Sequence, residues 1–370
     1  MARELTINSF HIHDDSDCYV VAEIGHNHQG KVETAKELFR IAKECGANAV
    51  KLQKRNNRLL FTPELYNSPY VSESSYGNTY GEHREALEFG EDEFRELKSY
   101  AAEIGITMFA TAFDQWSVDF LEKLDLPAYK IASGDLTNTP LQKYVAKTGK
   151  PLILSTGGGT FDDIQRAYDT IMPINKRLCI LQCTASYPTE VEDMNLRVIS
   201  SLRQLFPDLV IGLSDHQNGI AMAVVAYTLG ARLIEKHFTL NRAWKGTDHA
   251  FSLEPIGLRK LVRDLKRARI ALGNRAKLRL PVEEQPLFKM SKKLVAARDL
   301  PAGHVLKAKD IAIKSPGDGL PPYLLADLVG STTIGPIRED ENITLDNLKG
   351  PSKTLNRSAS LQLTPNVSRK

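Results

Sequence analysis

Two short stretches decide the fold expected of this chain: LVIGLSDH at residues 209–216 and ARLIEKH at residues 231–237. Each is an apolar run that ends in a histidine, with acidic, basic or hydroxyl side chains beside it. Runs of this length are typical of buried strands in a parallel sheet. If the two strands are parallel neighbours, His216 and His237 emerge at the same edge of one sheet.

The same alternation of strand and helix patterns extends through most of the chain. Six further strand candidates come first, at residues 19–24, 49–53, 107–110, 128–132, 151–155 and 178–182, and amphipathic helical patterns fill most of the gaps. Eight strand–helix units over about 250 residues predict an α/β fold, a closed parallel (β/α)8 barrel. An open, doubly wound sheet is the competing architecture, and the count of eight favours closure.

Composition excludes several classes of partner. Of 370 residues, 42% are hydrophobic and 25% are charged, and the net charge of +3 is too small to predict nucleic-acid binding. No apolar run reaches the roughly 18 residues that span a membrane, and the N-terminal MARELTINSF has no apolar signal core. We therefore expect a cytoplasmic protein without a membrane partner. The four cysteines form no CxxC pair and are expected to be reduced and buried.

Four segments are expected along the chain. Residues 1–274 carry the barrel, and the charged residues 275–290, with two prolines, are expected to form a linker. Residues 291–350 show short alternating runs separated by PAG, SPGDG and GP turns, which predict a small β-rich domain. The polar residues 351–370 are expected to be disordered. Within the barrel, residues 53–91 lack periodicity, and this long connection is interpreted as a lid.

Polar side chains at the predicted strand ends indicate an anion site, because chemistry in such barrels gathers there. Lys51 and Lys130 lie within apolar strands, where a buried ammonium group is costly unless it is paired. A bound anion or an internal pair with Glu23 or Glu235 would meet that need, and both remain open. Small donors at neighbouring strand ends complete a cradle for phosphate and carboxylate: Thr111, Ser133, Ser155, Ser214 and the glycines at 157–159.

The two histidines predict a metal site at the same edge. A single histidine at a strand end is more often a structural group, but two on adjacent strands, near Glu23 and Asp248, favour a metal. Two imidazoles completed by water or substrate oxygen suit a divalent ion such as Mn²⁺, and Zn²⁺ remains open. His28 and His249 receive no assignment.

Eight motifs resemble those of the sialic acid (nonulosonate) synthases, most closely the animal-type branch: AEIGHNHQG, AVKLQK, YGNTYGEHREALEF, YKIASGD, LQCTASYP, IGLSDHQNGIA, LIEKHFTL and KGTDHAFSLEP. The resemblance extends from about residue 18 to residue 350. It implies a TIM barrel followed by an antifreeze-like (SAF) domain, in a domain-swapped homodimer.

The family condenses phosphoenolpyruvate with N-acetylmannosamine or its 6-phosphate and releases inorganic phosphate. The resemblance therefore implies a synthase of N-acetylneuraminate or its 9-phosphate. A synthase of a related nonulosonic acid (KDN, legionaminic or pseudaminic acid), acting on a different hexose acceptor, is the alternative.

The resemblance also implies a role for each matching residue. His216 and His237 would bind the divalent metal, Mn²⁺ or else Mg²⁺ or Co²⁺. Phosphoenolpyruvate would be held by Lys51, Lys130, Thr111, Ser133, Ser155 and Ser214. The catalytic groups would be both lysines with Glu23, Asp135, Tyr187, Glu235 and Asp248, which would order sugar and water and transfer protons.

Two departures from the bacterial members leave the acceptor open. This chain has Ala185 where they carry Asn, with Ser186 as a substitute contact, and Ser315 after Lys314 where they carry an Arg that reaches the partner's sugar. A phosphorylated acceptor needs a second cationic site. The lid offers candidates for it, with a solvated loop surface as the alternative: Lys54, Arg55, Arg58, His83 and Arg84.

Three rival functions fit the sequence less well. Another phosphoenolpyruvate-condensing barrel enzyme would lack the C-terminal domain. Ice binding requires a flat, uncharged face, whereas this domain carries charges such as Arg298, Asp299 and Lys307. A sugar-binding barrel without catalysis would not need so many polar groups at its strand ends.

Overall fold

The computed structural model describes residues 3–350 of the chain. A hairpin of β1 (Glu4–Ile7) and β2 (Phe10–His13) precedes a closed barrel of eight parallel strands, which confirms the predicted fold. The barrel strands are β3 (Tyr19–Glu23), β4 (Ala49–Lys54), β5 (Thr107–Ala112), β6 (Tyr129–Ile131), β7 (Leu152–Ser155), β8 (Leu178–Cys183), β9 (Val210–Asp215) and β10 (Leu233–His237). Each strand pairs with the next, and β10 closes the ring by pairing with β3 as well as β9.

Alternation along the strands separates the barrel interior from its outer layer. The inward positions nearest the strand starts are apolar and form one buried cluster, which includes Tyr19, Ala49, Phe109 and Leu233. Leu5, Ile7 and Ile12 of the N-terminal hairpin belong to that cluster. The hairpin therefore closes the barrel at its amino-terminal end, and only the carboxyl ends of the strands are free to form a site.

Helices cover the outside of the barrel. Their apolar residues recur every three or four positions, so each helix has one apolar face that packs against the strands. In α1, for example, Ala35, Leu38, Phe39 and Ala42 are buried against the outer strand faces. The helices of this unit are α1 (Val32–Glu44), α2 (Asn57–Leu60), α3 (Pro63–Asn67), α4 (Tyr80–Glu85), α5 (Glu91–Glu103), α6 (Gln115–Lys123), α7 (Thr139–Ala146), α8 (Phe161–Ile171), α9 (Val198–Leu205), α10 (Ala221–Thr228) and α11 (Pro255–Leu272). All four cysteines are buried and unpaired.

The aperiodic connection between β4 and α5 contains regular structure, in the short helices α2, α3 and α4. Side-chain caps start all three: Asn56 accepts from the Leu59 N–H, Thr62 from Leu65, and Thr79 from Glu82. Helices of four to six residues are too short to show a hydrophobic period. The absence of a periodic pattern therefore did not exclude helices in this segment.

A second compact unit begins at Asn274. It contains α12 (Glu284–Met290), α13 (Leu325–Leu328) and two antiparallel strand pairs, β11 (Lys293–Ala296) with β12 (Ile311–Lys314) and β13 (Thr332–Thr333) with β14 (Leu348–Lys349). Its own apolar core includes Leu294, Leu306, Ile337 and Ile343. The segment expected to be an irregular linker thus contains a helix.

Two expectations from the sequence concern other parts of the chain. Residues 351–370, expected to be disordered, lie outside the described residues. Between residues 3 and 350, no helix is both long and apolar enough to cross a membrane.

Candidate active site

A cavity of about 570 Å³ lies at the carboxyl ends of the barrel strands. Its size is within the range of small-molecule sites. Twelve of the predicted catalytic, phosphoenolpyruvate-binding and metal-binding residues line it: Glu23, Lys51, Thr111, Lys130, Ser133, Ser155, Tyr187, Ser214, His216, Glu235, His237 and Asp248. Most of the twelve continue the inward-facing alternation of the apolar core, as Glu23 does after Tyr19 and Val21 in β3. The glycines at 157–159, predicted to belong to the cradle, do not line it, and the Gly157 N–H donates to Ser133 Oγ at 3.0 Å.

Both buried lysines have internal partners. The Lys51 ammonium lies 2.6 Å from Glu23 Oε2, donates to Thr111 Oγ1 at 2.8 Å and lies 3.7 Å from Glu235. Lys130 donates to Ser155 Oγ at 2.6 Å and lies 3.8 Å from Glu235. Of the two possibilities left open by the sequence, internal pairing is therefore realised.

The charges of this cluster still favour a bound anion. Burial, opposed by Lys51, raises the pKa of Glu23 to about 7. Burial alone would raise the pKa of Glu235 as well. The positive charges of Lys130 and Lys51 outweigh that effect and hold the pKa of Glu235 below its usual range. Two ammonium groups thus face one ionised carboxylate and a second that is partly protonated near neutral pH, which leaves a net positive charge.

The two predicted metal ligands are neutral and face each other. Their ring centroids are 5.5 Å apart, and burial lowers both pKa values, that of His216 to about 4. His216 Nδ1 lies 2.9 Å from the Thr184 carbonyl, so Nδ1 carries the proton and Nε2 keeps its lone pair. His237 Nδ1 is buried and finds no hydrogen-bond partner among residues 3–350.

These histidines fit a divalent cation whose coordination is completed from outside the protein. Asp248 Oδ2 lies 3.6 Å from His237 Nδ1. No group of three or more His, Cys, Asp or Glu side chains in the described part of the chain converges as a ligand set. Water or substrate oxygens would supply the remaining ligands, as expected for a catalytic rather than a structural metal.

A hydrogen-bonded chain of side chains extends from Glu23 toward the lid. Gln53 Nε2 donates to Glu23 Oε1 at 2.8 Å, and Arg55 donates to Gln53 Oε1 at 2.6 Å. The sequence alone did not give Gln53 a role in the site. Its spacing of two residues from Lys51, which places both on the inner face of β4, was the available signal.

Asp135 is the one predicted catalytic residue that does not line the cavity. It lies in a single 3-10 turn, Ser133–Asp135, and its carboxylate accepts a hydrogen bond from the Asn138 side chain at 2.9 Å. Asn138 in turn caps α7 by accepting from the Leu141 N–H. Asp135 thus belongs to a turn that leads into a helix.

The five cationic candidates of the lid divide into two groups. Arg55 and Arg84 line the cavity. Lys54 instead donates to Glu88 and to the Phe89 carbonyl. The Arg58 guanidinium lies over the Tyr66 ring, with its central carbon 3.8 Å from the ring centroid.

His83 and the two unassigned histidines have structural partners. His83 is buried and accepts from the Tyr76 N–H. His28 stacks on Phe89 at 4.1 Å, and His249 Nδ1 lies 2.7 Å from Thr239 Oγ1. These contacts explain why the three histidines do not belong to the cavity.

The two departures from the bacterial pattern have local explanations. Ala185 lines the cavity, and the Ser186 hydroxyl donates to the Pro188 carbonyl, so Ser186 does not replace the missing Asn contact. In the C-terminal unit, Lys314 pairs with Asp340, and Ser315 Oγ accepts from Lys292 at 2.6 Å.

Comparison with known proteins places these features in one family. Residues 38–277 match the NeuB family and residues 293–349 match the SAF domain. The chain is 42% identical to N-acetylneuraminate-9-phosphate synthase of Mus musculus, over 91% of this chain and 94% of that protein. It is 34% identical to N,N'-diacetyllegionaminic acid synthase of Legionella pneumophila, over 85% and 90%. The crystal structure of an N-acetylneuraminic acid synthetase from Leptospira borgpetersenii is similar with a TM-score of 0.68 and 30% identity, over 77% of this chain and 95% of that one.

Proposed function

The chain belongs to the NeuB family, and on that premise we propose that it condenses phosphoenolpyruvate with N-acetylmannosamine or its 6-phosphate. The product is N-acetylneuraminate or its 9-phosphate, together with inorganic phosphate. The observation that carries the proposal is the cavity itself, in which two buried lysines and several hydroxyl groups lie beside two neutral histidines.

The residues divide between the two substrates. Lys51 and Lys130 bind the phosphate and carboxylate of phosphoenolpyruvate, because they leave a net positive charge after pairing with Glu23 and Glu235. Thr111, Ser133, Ser155 and Ser214 supply neutral donors around them. Asp248 and Tyr187, next to the histidines, orient the acceptor sugar.

A divalent ion, Mn²⁺ or else Mg²⁺ or Co²⁺, would be held by His216 and His237 and would act as a Lewis acid toward the open-chain aldehyde of the sugar. The methylene carbon of phosphoenolpyruvate forms a bond to the aldehyde carbon, and protonated Glu23 gives its proton to the aldehyde oxygen. Water adds to the resulting cationic carbon and returns one proton to the Glu23 carboxylate. The C–O bond to phosphate then breaks as the new hydroxyl group gives its proton to the leaving phosphate, which leaves the keto acid and inorganic phosphate.

The proposal includes a domain-swapped homodimer in the cytoplasm. Large apolar side chains are exposed in one segment of the C-terminal unit, which supports contact with another chain: Leu278, Leu280, Val282, Phe288 and Met290. The four unpaired, buried thiols support a reducing compartment.

Synthesis of a related nonulosonic acid is the second candidate function, because the similarity to a legionaminic acid synthase extends over nearly as much of the chain. Phosphate release separates the candidates when purified protein is given phosphoenolpyruvate, Mn²⁺ and one acceptor at a time. The panel contains N-acetylmannosamine, its 6-phosphate, mannose 6-phosphate and a diacetamido hexose. Release with the first or second supports our proposal, and release with none of the four refutes it.

The metal assignment is tested separately by binding. We expect wild-type protein to bind Mn²⁺ in a dialysis experiment after treatment with a chelator, and His216→Ala and His237→Ala to lose at least tenfold in affinity. Variants that retain wild-type Mn²⁺ affinity and activity would show that the ion binds elsewhere.

A further inference from the structure

Lys236 and Asp215 form an ion pair behind the two histidines, outside the cavity. They are register partners on β10 and β9, and Lys236 Nζ lies 2.9 Å from Asp215 Oδ2. Both side chains are enclosed, with 1% and 0% of their surfaces exposed, and neither lines the cavity. Because side chains alternate along a strand, the pair lies on the outer faces of β9 and β10, opposite to the face that carries Ser214 and Glu235.

An ion pair is costly in the layer between the strands and the helices. Two charges must be taken out of water, and apolar residues of similar volume are often neutral or stabilising in their place. The neighbouring outward positions on the same strands are in fact apolar and belong to the main core: Ile211, Leu213 and Ile234. Filling this layer therefore does not require the pair, and its backbone contacts indicate another role.

The pair holds the residue after His216 by both of its backbone polar groups. Asp215 Oδ1 accepts from the Gln217 N–H at 2.8 Å, and the Lys236 ammonium donates to the Gln217 carbonyl. The first contact comes from the same strand, β9, and the second comes across from β10. Gln217 is thus tied to both strands, and His216 lies between Asp215 and Gln217.

His216 makes two further contacts that depend on this backbone position. Its carbonyl accepts from the Thr189 N–H at 3.1 Å, and its Nδ1 lies 2.9 Å from the Thr184 carbonyl. The second contact keeps the ring proton on Nδ1 and the lone pair on Nε2. On β10, Lys236 directly precedes His237. Each member of the ion pair is therefore the chain neighbour of one imidazole, and the two ring centroids are 5.5 Å apart.

We propose that the Lys236–Asp215 pair positions the two histidines, by fixing the turn after β9 against β10 so that both imidazoles can bind one divalent ion. Neither residue touches the ion or a substrate, so both are positioning residues. The inference rests on the metal of the proposed function and adds the groups that set the geometry of its ligands. Partners that orient metal ligands are commonly worth 10- to 100-fold in metal affinity.

Asp215→Leu/Lys236→Met tests this role, because it removes both contacts with Gln217 and leaves no unpaired charge. We expect the variant to fold, with a melting temperature within about 5 °C of wild type, and to bind Mn²⁺ at least about tenfold more weakly in equilibrium dialysis. The matched control is Glu122→Leu/Lys150→Met, the same kind of exchange in a pair 2.9 Å apart that does not line the cavity. The control should retain wild-type Mn²⁺ affinity.

A neutral variant separates the hydrogen bonds from the charges. Asp215→Asn/Lys236→Gln keeps an acceptor for the Gln217 N–H and a donor for the Gln217 carbonyl. It should therefore recover most of the Mn²⁺ affinity that the apolar variant loses. A loss as large as that of the apolar variant would overturn the positioning role, because the charges and not the held turn would then matter.

A measurement on the metal-free protein keeps this inference distinct from the proposed function. With ¹⁵N-labelled histidine, the His216 ring signals, assigned by their loss in His216→Ala, should show a single tautomer with the proton on Nδ1. The apolar variant should show a mixture of both tautomers, because the ring is no longer held against the Thr184 carbonyl. The control variant should give the wild-type signals.

Weaker Mn²⁺ binding together with mixed tautomers in the apolar variant supports the positioning role. Wild-type Mn²⁺ affinity or an unchanged tautomer overturns it, and so does an unfolded apolar variant, because the pair would then be required for the fold itself. Wild-type protein that binds no Mn²⁺ would refute the proposed metal instead. The tautomers then decide alone: a mixture in the apolar variant supports the positioning of His216, and no change overturns it.

Discussion

Glu23 is the residue where burial most directly controls the chemistry of this cavity. Its carboxyl group is fully enclosed, contacts Lys51 and accepts from Gln53. Desolvation favours the protonated form and Lys51 the ionised form, and the balance raises its pKa. A group with a pKa near neutrality suits proton transfer to the aldehyde oxygen.

Glu23→Gln should lower kcat by about 10²- to 10⁴-fold, the usual contribution of a general acid. Because the protonated form is the active one, wild-type activity should fall as pH rises through about 7. The residual activity of the variant should lack that decline. Glu37→Gln, on the surface of α1, serves as the control for loss of a carboxylate. An unchanged pH profile in Glu23→Gln would assign the proton transfer to another group.

His28 provides a separate test at the residue scale, which concerns the stability of the folded protein. Burial lowers its pKa from the ordinary 6.5 to about 3, so below pH 6.5 the unfolded chain binds a proton that the folded protein does not. Its contribution thus destabilises the fold progressively as pH falls from 6.5 toward 3, by about 2 kcal/mol at pH 5.

His28→Asn removes that titration and retains an acceptor for the Gly30 N–H. Between pH 7 and pH 5 the variant should lose about 2 kcal/mol less free energy of unfolding than the wild-type protein. Urea denaturation at the two pH values measures the difference. Equal losses would mean that His28 is protonated in the folded protein.

At the scale of elements, the barrel strands and the lid differ in how far the sequence predicts them. Strands such as β9 are continuous apolar runs that end in polar residues, and this pattern located the cavity. The N-terminal hairpin was missed because four-residue strands carry little periodic signal. The lid helices were missed for the same reason, although their capping residues were visible in the sequence.

The lid segment is packed closely enough that one methyl group should displace it. A Cβ at Gly81, in α4, would overlap the ring of Tyr66 in α3. Since α4 also carries Arg84, we expect Gly81→Ala to lower kcat/KM at least tenfold. The barrel does not depend on this contact, so its melting temperature should change by only about 2 °C.

Gly335→Ala is the matched control, because a Cβ there meets no atom within 4 Å. It should retain wild-type activity and stability. Wild-type activity in Gly81→Ala would show that the position of α4 is unimportant for turnover.

At the scale of the whole molecule, the sequence predicted the barrel, the β-rich second unit and most of the cavity, and its errors are local. Asp135 received its role from the family resemblance, but its carboxylate accepts a hydrogen bond from Asn138 within a turn outside the cavity. Lys54 and Arg58 were grouped with Arg55 and Arg84 by charge alone. Their directions depend on Glu88 and Tyr66, which contact them only in the folded lid.

The proposed homodimer should have a mass of about 82 kDa in sedimentation equilibrium, twice the 41.2 kDa of the chain. Exposed apolar residues such as Phe288 and Met290 would then be covered. Phe288→Asp should weaken the dimer. A wild-type protein that sediments as a monomer at micromolar concentration would contradict this part of the proposal.

The central claim is carbon–carbon bond formation with cleavage of the C–O bond of phosphoenolpyruvate. The most direct test uses phosphoenolpyruvate labelled with ¹⁸O at the oxygen between carbon and phosphorus, together with N-acetylmannosamine 6-phosphate and Mn²⁺. We predict a nine-carbon keto acid phosphate without label and inorganic phosphate that carries the label, both measured by mass spectrometry. Labelled pyruvate with unlabelled phosphate, and no nine-carbon product, would contradict the account.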